Sequence, residues 1–263
     1  MKTKDEIFNK AFLLLQNYNK FTIDKLKHIN TLFKFKNKAD AIQRLERIKW
    51  KKLYETSNNP YLFYEEDSYL ITATYLYKFL SKQYIDNFLS IKNDIIKNDN
   101  IKILDYGAGT GLTTLYLALN LPKATIYYFN ISKKQTNFFK QLLKEFTELN
   151  NIIIINNLDL IKNINIDLLF ILDVIEHCKM PLDEMLYILK DINSKYIIQT
   201  GGWSGNNIPG HFSIYQNNLT PRETIKQIKL LYTKFNYKLL NNENLIKYNK
   251  KFWNNEPHIY YKN

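Results

Sequence analysis

Asp173, Glu176 and His177 stand close together at the end of an apolar run, and His211 follows in a glycine-flanked loop, "IPGHFSIY". Two carboxylates and two imidazoles allow two kinds of chemistry. A histidine with an ordinary pKa of roughly 6.5 can take a proton from an attacking hydroxyl at neutral pH. The same four groups can hold a divalent cation that acidifies a bound hydroxyl. A plainer reading stays open beside these: Glu176 and His177 can hold their own turn through hydrogen bonds to the backbone. A second group precedes them in the chain. In "LDYGAGTG", Asp105 leads into Gly107, Gly109 and Gly111, which alternate with Ala108 and Thr110. Glycine permits the positive φ angles of a tight turn, and its missing Cβ lets a ligand lie on the main chain. A helix that follows such a turn aims its N–H groups and positive dipole end at the same place. The order G-x-G-x-G differs from the G-x-G-x-x-G of dinucleotide sites and suits a ligand without a pyrophosphate.

Both groups need elements to carry them. From Ile101 onward, short β-branched runs alternate with helical segments. Strands are predicted at 101–106, 124–130, 151–156, 166–173 and 195–200, with helices at 111–120, 132–150 and 181–192. This alternation predicts a parallel sheet covered by helices on both faces. Two edge strands are expected near 235–242 and 257–263, separated by a solvated Asn- and Lys-rich loop. Residues 1 to 95 read as helical, with a break at Asn59-Pro60. The expected division is therefore 1–95, a helical N-terminal cap, and 96–263, a ligand-binding α/β domain.

Composition narrows the classes. The chain has 263 residues, 45% of them hydrophobic, enough for a sizeable core. No apolar stretch approaches the roughly 20 residues of a membrane span. The charged start "MKTKDEIFNK" does not resemble a secretory signal. A single cysteine, Cys178, rules out an intrachain disulfide and fits a reducing, cytoplasmic setting. The formal charge of +12 has two readings: a polyanionic partner, or the Lys- and Asn-rich usage of an AT-rich genome. No phosphate-loop lysine motif and no Cys-x-x-Cys pair is present. Cys178 follows His177 rather than a proline, so it reads as a small buried residue more than a nucleophile. Trp203, in "TGGWSGNNIPGH", is placed either to pack on a substrate ring or to plug an interface.

"LDYGAGTG" resembles the first motif of class I S-adenosylmethionine (SAM)-dependent methyltransferases. "DLLFILDVIEHCKMPLDEM", from Asp167, resembles a later motif of the ubiquinone-biosynthesis-like O-methyltransferase group. The resemblance covers about residues 100 to 242. It implies a Rossmann-like, mostly parallel seven-stranded sheet of order 3-2-1-4-5-7-6. It places SAM over the glycine turn, against Asp105, Gly107, Ala108, Gly109 and Gly111, with Asp173 nearby. The acid that takes the ribose hydroxyls in that family falls here on Asn130, followed by Ile131. An asparagine oxygen accepts a hydroxyl hydrogen bond without a carboxylate's charge. Asp159, with Leu158 beside it, falls where the adenine amino group is contacted. His177, His211 and Glu176 take the catalytic positions. Some members with this acid-histidine turn are metal-dependent, including the small-RNA 3′-end 2′-O-methyltransferases. A metal is not favoured here; if present it uses Asp173, Glu176, His177 and His211. The expected activity is SAM-dependent O-methylation of a small molecule, sugar or lipid-linked precursor. Methylation of RNA, metal-assisted in one form, is the second reading, and a non-catalytic SAM- or nucleotide-binding module is the third. The turn that accompanies methylation of exocyclic amines in DNA bases, Pro-Pro-Tyr in type, is missing after the fourth strand.

Overall fold

The computed structural model describes residues 4–18, 48–50, 59–66, 96–201, 215–240 and 258–262, with single positions between 52 and 93. After helix α1 (Lys4–Tyr18) and a 3-10 turn at Pro60–Glu65, the order is β1 (Lys102–Tyr106), α2 (Leu112–Asn120), β2 (Thr125–Phe129), α3 (Lys133–Leu143) and β3 (Ile152–Ile155). There follow β4 (Ile166–Leu172), α4 (Pro181–Asp191), β5 (Ser194–Thr200), α5 (Pro221–Lys234), β6 (Tyr237–Leu239) and β7 (His258–Lys262). The seven strands form one sheet of order β3-β2-β1-β4-β5-β7-β6. Strands β1 to β5 pair in parallel, while β7 runs antiparallel to both β5 and β6.

The strand sequences explain their places. β4 reads IDLLFIL and is buried along nearly its whole length, as a central parallel strand covered on both faces must be. Its residues divide between two cores. Leu169 and Ile171 join Leu104 and Ile197 beneath Met185 and Ile188 of α4 and Ile228 and Tyr232 of α5. Leu168 and Phe170 join Ile103 and Ile126 on the opposite face, under Leu117 and Ala118 of α2. β3, at the sheet edge, keeps Ile153 exposed. The helices start at local signals. Ser132 caps α3 by accepting from the Gln135 N–H, and Thr220 and Glu223 form a reciprocal capping box ahead of α5, with Pro221 at its first position.

The sheet order and the strand–helix alternation match the sequence expectation. Two boundaries differ by three residues or more. α3 stops at Leu143 rather than near residue 150, because the chain tightens into consecutive three-residue turns from Lys144 to Phe146. The sixth strand covers only Tyr237–Leu239, the part that pairs with β7. Short 3-10 turns follow β3 (Leu158–Ile161) and β4 (Ile175–His177).

Described positions of the N-terminal third are helical from Tyr69 to Asn93, and several sit in the same cores as the sheet. Ile85 and Phe88 pack with Ile103 and Phe170, the two phenylalanine rings meeting edge to face at 5.2 Å. Ile7, Ala11 and Leu70 pack with Leu115, Phe138 and Phe139. Among the described residues no helix is long and apolar enough to cross a membrane.

Candidate functional site

The turn after β1 takes its shape from three glycines at φ 69° (Gly107), 55° (Gly109) and 78° (Gly111). These angles lie in the left-handed region that side chains disfavour. At two of them the space a Cβ needs is already filled by protein. A Cβ on Gly107 would meet Val174 Cγ2 at 2.6 Å, and one on Gly111 would meet Phe139 Cδ2 at 2.0 Å. Bare backbone is thus needed there for packing, beyond any approach by a ligand. The bend is also tied to β2. The Ala108 N–H donates to Phe129 O at 2.9 Å, and the Tyr128 hydroxyl donates to Gly109 O at 2.7 Å.

Asn130, just past β2, belongs to the same lattice. Its Nδ2 donates to Gly109 O at 3.1 Å and to Gln135 Oε1 at 2.9 Å. A backbone carbonyl only accepts, so the amide nitrogen must face it. An aspartate at this position would set a carboxylate oxygen against that carbonyl. The departure from an acid noted in the sequence therefore has a structural cause: the asparagine braces the glycine turn while its Oδ1 remains to accept. Ile131 beside it is 61% exposed, an apolar surface at the tip of β2.

Asp105, next to last in β1, is 2% exposed and accepts from Thr114 Oγ1 at 2.6 Å. Burial pushes its carboxyl up to about 6, and the Thr114 bond only partly offsets that shift. The remaining predicted contacts divide. Leu158 is 5% exposed and turned into the core under α4. Asp159 is bonded locally, with Lys162 Nζ at 2.6 Å and Asn157 Nδ2 at 3.1 Å. The Lys162 hydrogen bond holds its carboxyl below the usual range.

The end of β4 gathers three of the four acid and histidine groups. Asp173 adopts φ 59°, a left-handed conformation uncommon for a residue with a side chain, and its N–H donates to Thr200 O of β5 at 3.2 Å. That bend delivers Glu176 and His177 on the following 3-10 turn. Glu176 is 0% exposed. Donor atoms of Asp173, Glu176 and His177 all lie within 4.8 Å of one another. Such a trio suits either a proton relay or a divalent cation. Val174, inside the same segment, is the residue that fills the space over Gly107, so the cluster abuts the glycine turn. Burial raises the Cys178 thiol far above its ordinary range, which keeps it protonated and unreactive. His211, Trp203 and the Asn- and Lys-rich loop lie outside the described residues.

One part of the site has no signal in the sequence beyond Asn59-Pro60. The Pro60–Glu65 turn docks across the strand tips. The Ser132 hydroxyl donates to Tyr64 O at 3.1 Å, and the Glu65 carboxylate accepts from the N–H groups of Lys133 at 2.9 Å and Lys134 at 3.0 Å, at the positive end of α3. The Lys179 N–H donates to the Tyr61 hydroxyl at 3.2 Å. The Tyr64 ring stands edge-on to His177, with centroids 6.0 Å apart. Tyr215 reaches the same corner, donating its hydroxyl to Glu176 O at 2.8 Å.

The residues present fit a cationic sulfonium nucleoside. They offer a bare main-chain turn, a neutral acceptor at the tip of β2 and a buried carboxyl under the turn. The hydroxyls of Thr110, in the turn, and Thr200, at the end of β5, are buried with no hydrogen-bond partner among the described residues. Such groups are ordinarily satisfied, so they are ready donors for a ligand.

No protein-family model matches the chain. A ribosomal RNA small subunit methyltransferase G of Prochlorococcus marinus subsp. pastoris is 32% identical over 137 residues, 51% of this chain and 52% of that protein. The protein of the same name from Malacoplasma penetrans is 32% identical over 75 residues, 28% of this chain and 31% of that one. The chain thus spans about half the length, or less, of the curated relatives it matches. Their name refers to ribosomal RNA rather than to ubiquinone biosynthesis. Among solved structures, a putative sarcosine dimethylglycine methyltransferase from Galdieria sulphuraria aligns with TM-score 0.48 at 12% identity, covering 72% of this chain and 88% of that one. With β1 ending in the Gly107–Gly111 turn and the sheet running β3-β2-β1-β4-β5-β7-β6, the chain has the fold of class I SAM-dependent methyltransferases.

Proposed function

We propose that this chain transfers a methyl group from SAM to RNA. The observation that carries the reading is the contact of two functional segments: Val174 lies against Gly107, so the Asp173–Glu176–His177 trio abuts the cofactor turn. SAM, when bound, would supply an electrophilic methyl group carried on a sulfonium. The glycine turn, Asp105 and Asn130 hold the cofactor. His177 takes the proton released by the acceptor. Glu176, buried within 4.8 Å of it, stabilises the imidazolium that results. Most of the rate comes from holding acceptor and methyl in line. The Pro60–Glu65 turn, beside Ser132 and His177, helps select the acceptor.

RNA takes precedence over a small-molecule hydroxyl for two reasons. The curated relatives carry a ribosomal RNA name, and the net charge of +12 suits a polyanion. A cytoplasmic setting accompanies that substrate. The test is transfer of tritium from methyl-labelled SAM to an unmodified transcript of small-subunit ribosomal RNA. The wild type labels the transcript, with activity falling steeply as salt rises, and His177→Ala binds SAM but loses transfer. A folded, SAM-binding wild type that leaves the RNA unlabelled contradicts the RNA reading.

A further inference from the structure

Tyr64 lies in the stretch of chain that carries no recognisable motif, yet the fold sets it at the centre of the site. Its backbone and ring have clear structural duties. The carbonyl accepts from Ser132, and the ring packs edge to face on Phe63 at 5.6 Å and Tyr69 at 4.9 Å. Its hydroxyl has no such duty. Tyr64 is 9% exposed, and its Oη is buried with no hydrogen-bond partner among the described residues. Buried hydroxyls are ordinarily satisfied, because removal from water without a replacement bond is destabilising. The Tyr61 hydroxyl, in the same turn, accepts from the Lys179 N–H, so the turn is not generally short of partners.

The surroundings of that hydroxyl identify what it awaits. The ring meets His177 edge-on at 6.0 Å, so Tyr64 flanks the residue that receives the acceptor's proton. We propose that Tyr64 Oη donates a hydrogen bond to the methyl acceptor and orients it against His177, so that a residue of the N-terminal segment completes the acceptor site. Burial, with the neighbouring Tyr69, Cys178, Tyr61 and Glu176, keeps the phenol protonated. It therefore serves as a donor and not as the base. The covalent step needs nothing more: the acceptor lone pair forms the new bond to the methyl carbon, the sulfur keeps the electrons of the broken bond, and the proton goes to His177. The bonds from Ser132, Lys133 and Lys134 to Tyr64 O and Glu65 anchor the turn that carries the hydroxyl. The inference rests on the methyl-transfer reading above.

Tyr64→Phe removes the one atom concerned and leaves the packing. The full chain is compared with this variant in three measurements: thermal unfolding, calorimetric SAM binding, and tritium transfer to the small-subunit ribosomal RNA transcript. The variant is expected to unfold at a temperature no lower than the wild type and to bind SAM unchanged. Its kcat/KM for the transcript is expected to fall by about tenfold or more, since the acceptor loses a directional bond. Equal transfer by the two proteins overturns the role of Tyr64 and leaves methyl transfer standing. A fall of several degrees in unfolding temperature also overturns it, because the hydroxyl then has an internal partner. A wild type that binds SAM without labelling the transcript fails the function first, and the acceptor role falls with it.

Discussion

Replacing Gly111 by alanine tests how the glycine turn is built. An added Cβ would lie 2.0 Å from Phe139 Cδ2 and 2.4 Å from its Cγ, so the ring must move by more than about 1 Å to reach ordinary contact. Phe139 has little freedom to do so. It is fully buried and stacked on Tyr128 at 4.5 Å, and the Tyr128 hydroxyl holds Gly109 O at 2.7 Å. Displacement of the ring therefore passes back into the turn. Overpacking of this kind costs about 1–3 kcal/mol. Holding alanine at a φ of 78° adds about 1–2 kcal/mol. Together these give about 2–5 kcal/mol, which for a chain of this size lowers the Tm by about 4–20 °C. Urea unfolding of Gly111→Ala, Phe139→Leu and the double variant separates the two parts. The double variant should recover the packing share, a coupling of about 1–3 kcal/mol, and retain the backbone share. Gly111→Ala within about 0.5 kcal/mol of the wild type, or strict additivity in the cycle, refutes the reasoning.

Two further outcomes follow from the same corner. Asp105, pushed up to about 6 from 3.8 by burial, favours its protonated form in the folded state. Its contribution is fully present below about pH 4 and lost as pH rises through about 6, a change of about 3 kcal/mol relative to Asp105→Asn. Urea unfolding of both proteins between those pH values measures this, and parallel pH profiles contradict it. Asn130→Asp restores the acid of the resembled family but sets a carboxylate oxygen against Gly109 O. It should lower stability by about 1–3 kcal/mol, whereas an unchanged or raised unfolding temperature would show that Asn130 does not brace the turn.

The sheet was legible in the sequence because its signals are local and mutually consistent. Apolar runs such as IDLLFIL mark buried strands, and the glycines after "LDY" mark the turn whatever surrounds them. The inner sheet order came with the resemblance rather than from periodicity. What could not be read depends on partners distant in the chain. The need for bare backbone at Gly107 and Gly111 is set by Val174 and Phe139, which no spacing links to them. The sequence shows an amide at Asn130 where the resembled family has an acid, and the contact with Gly109 gives that amide a structural reason. Leu158 and Asp159 follow β3 in the chain, but the core packing of Leu158 and the local bonding of Asp159 depend on a 3-10 turn that no periodicity marks. The docking of Tyr64 and Glu65 onto the β2–α3 loop has no precursor in composition or periodicity, since hydrogen bonds between such separated segments follow from the packed fold.

Calorimetric titration of the folded chain with SAM asks most directly whether the bend after β1 is a cofactor site. The predicted result is saturable binding that S-adenosylhomocysteine displaces. A folded protein that takes up no SAM at about millimolar concentration contradicts the cofactor assignment, and with it the proposed chemistry of His177.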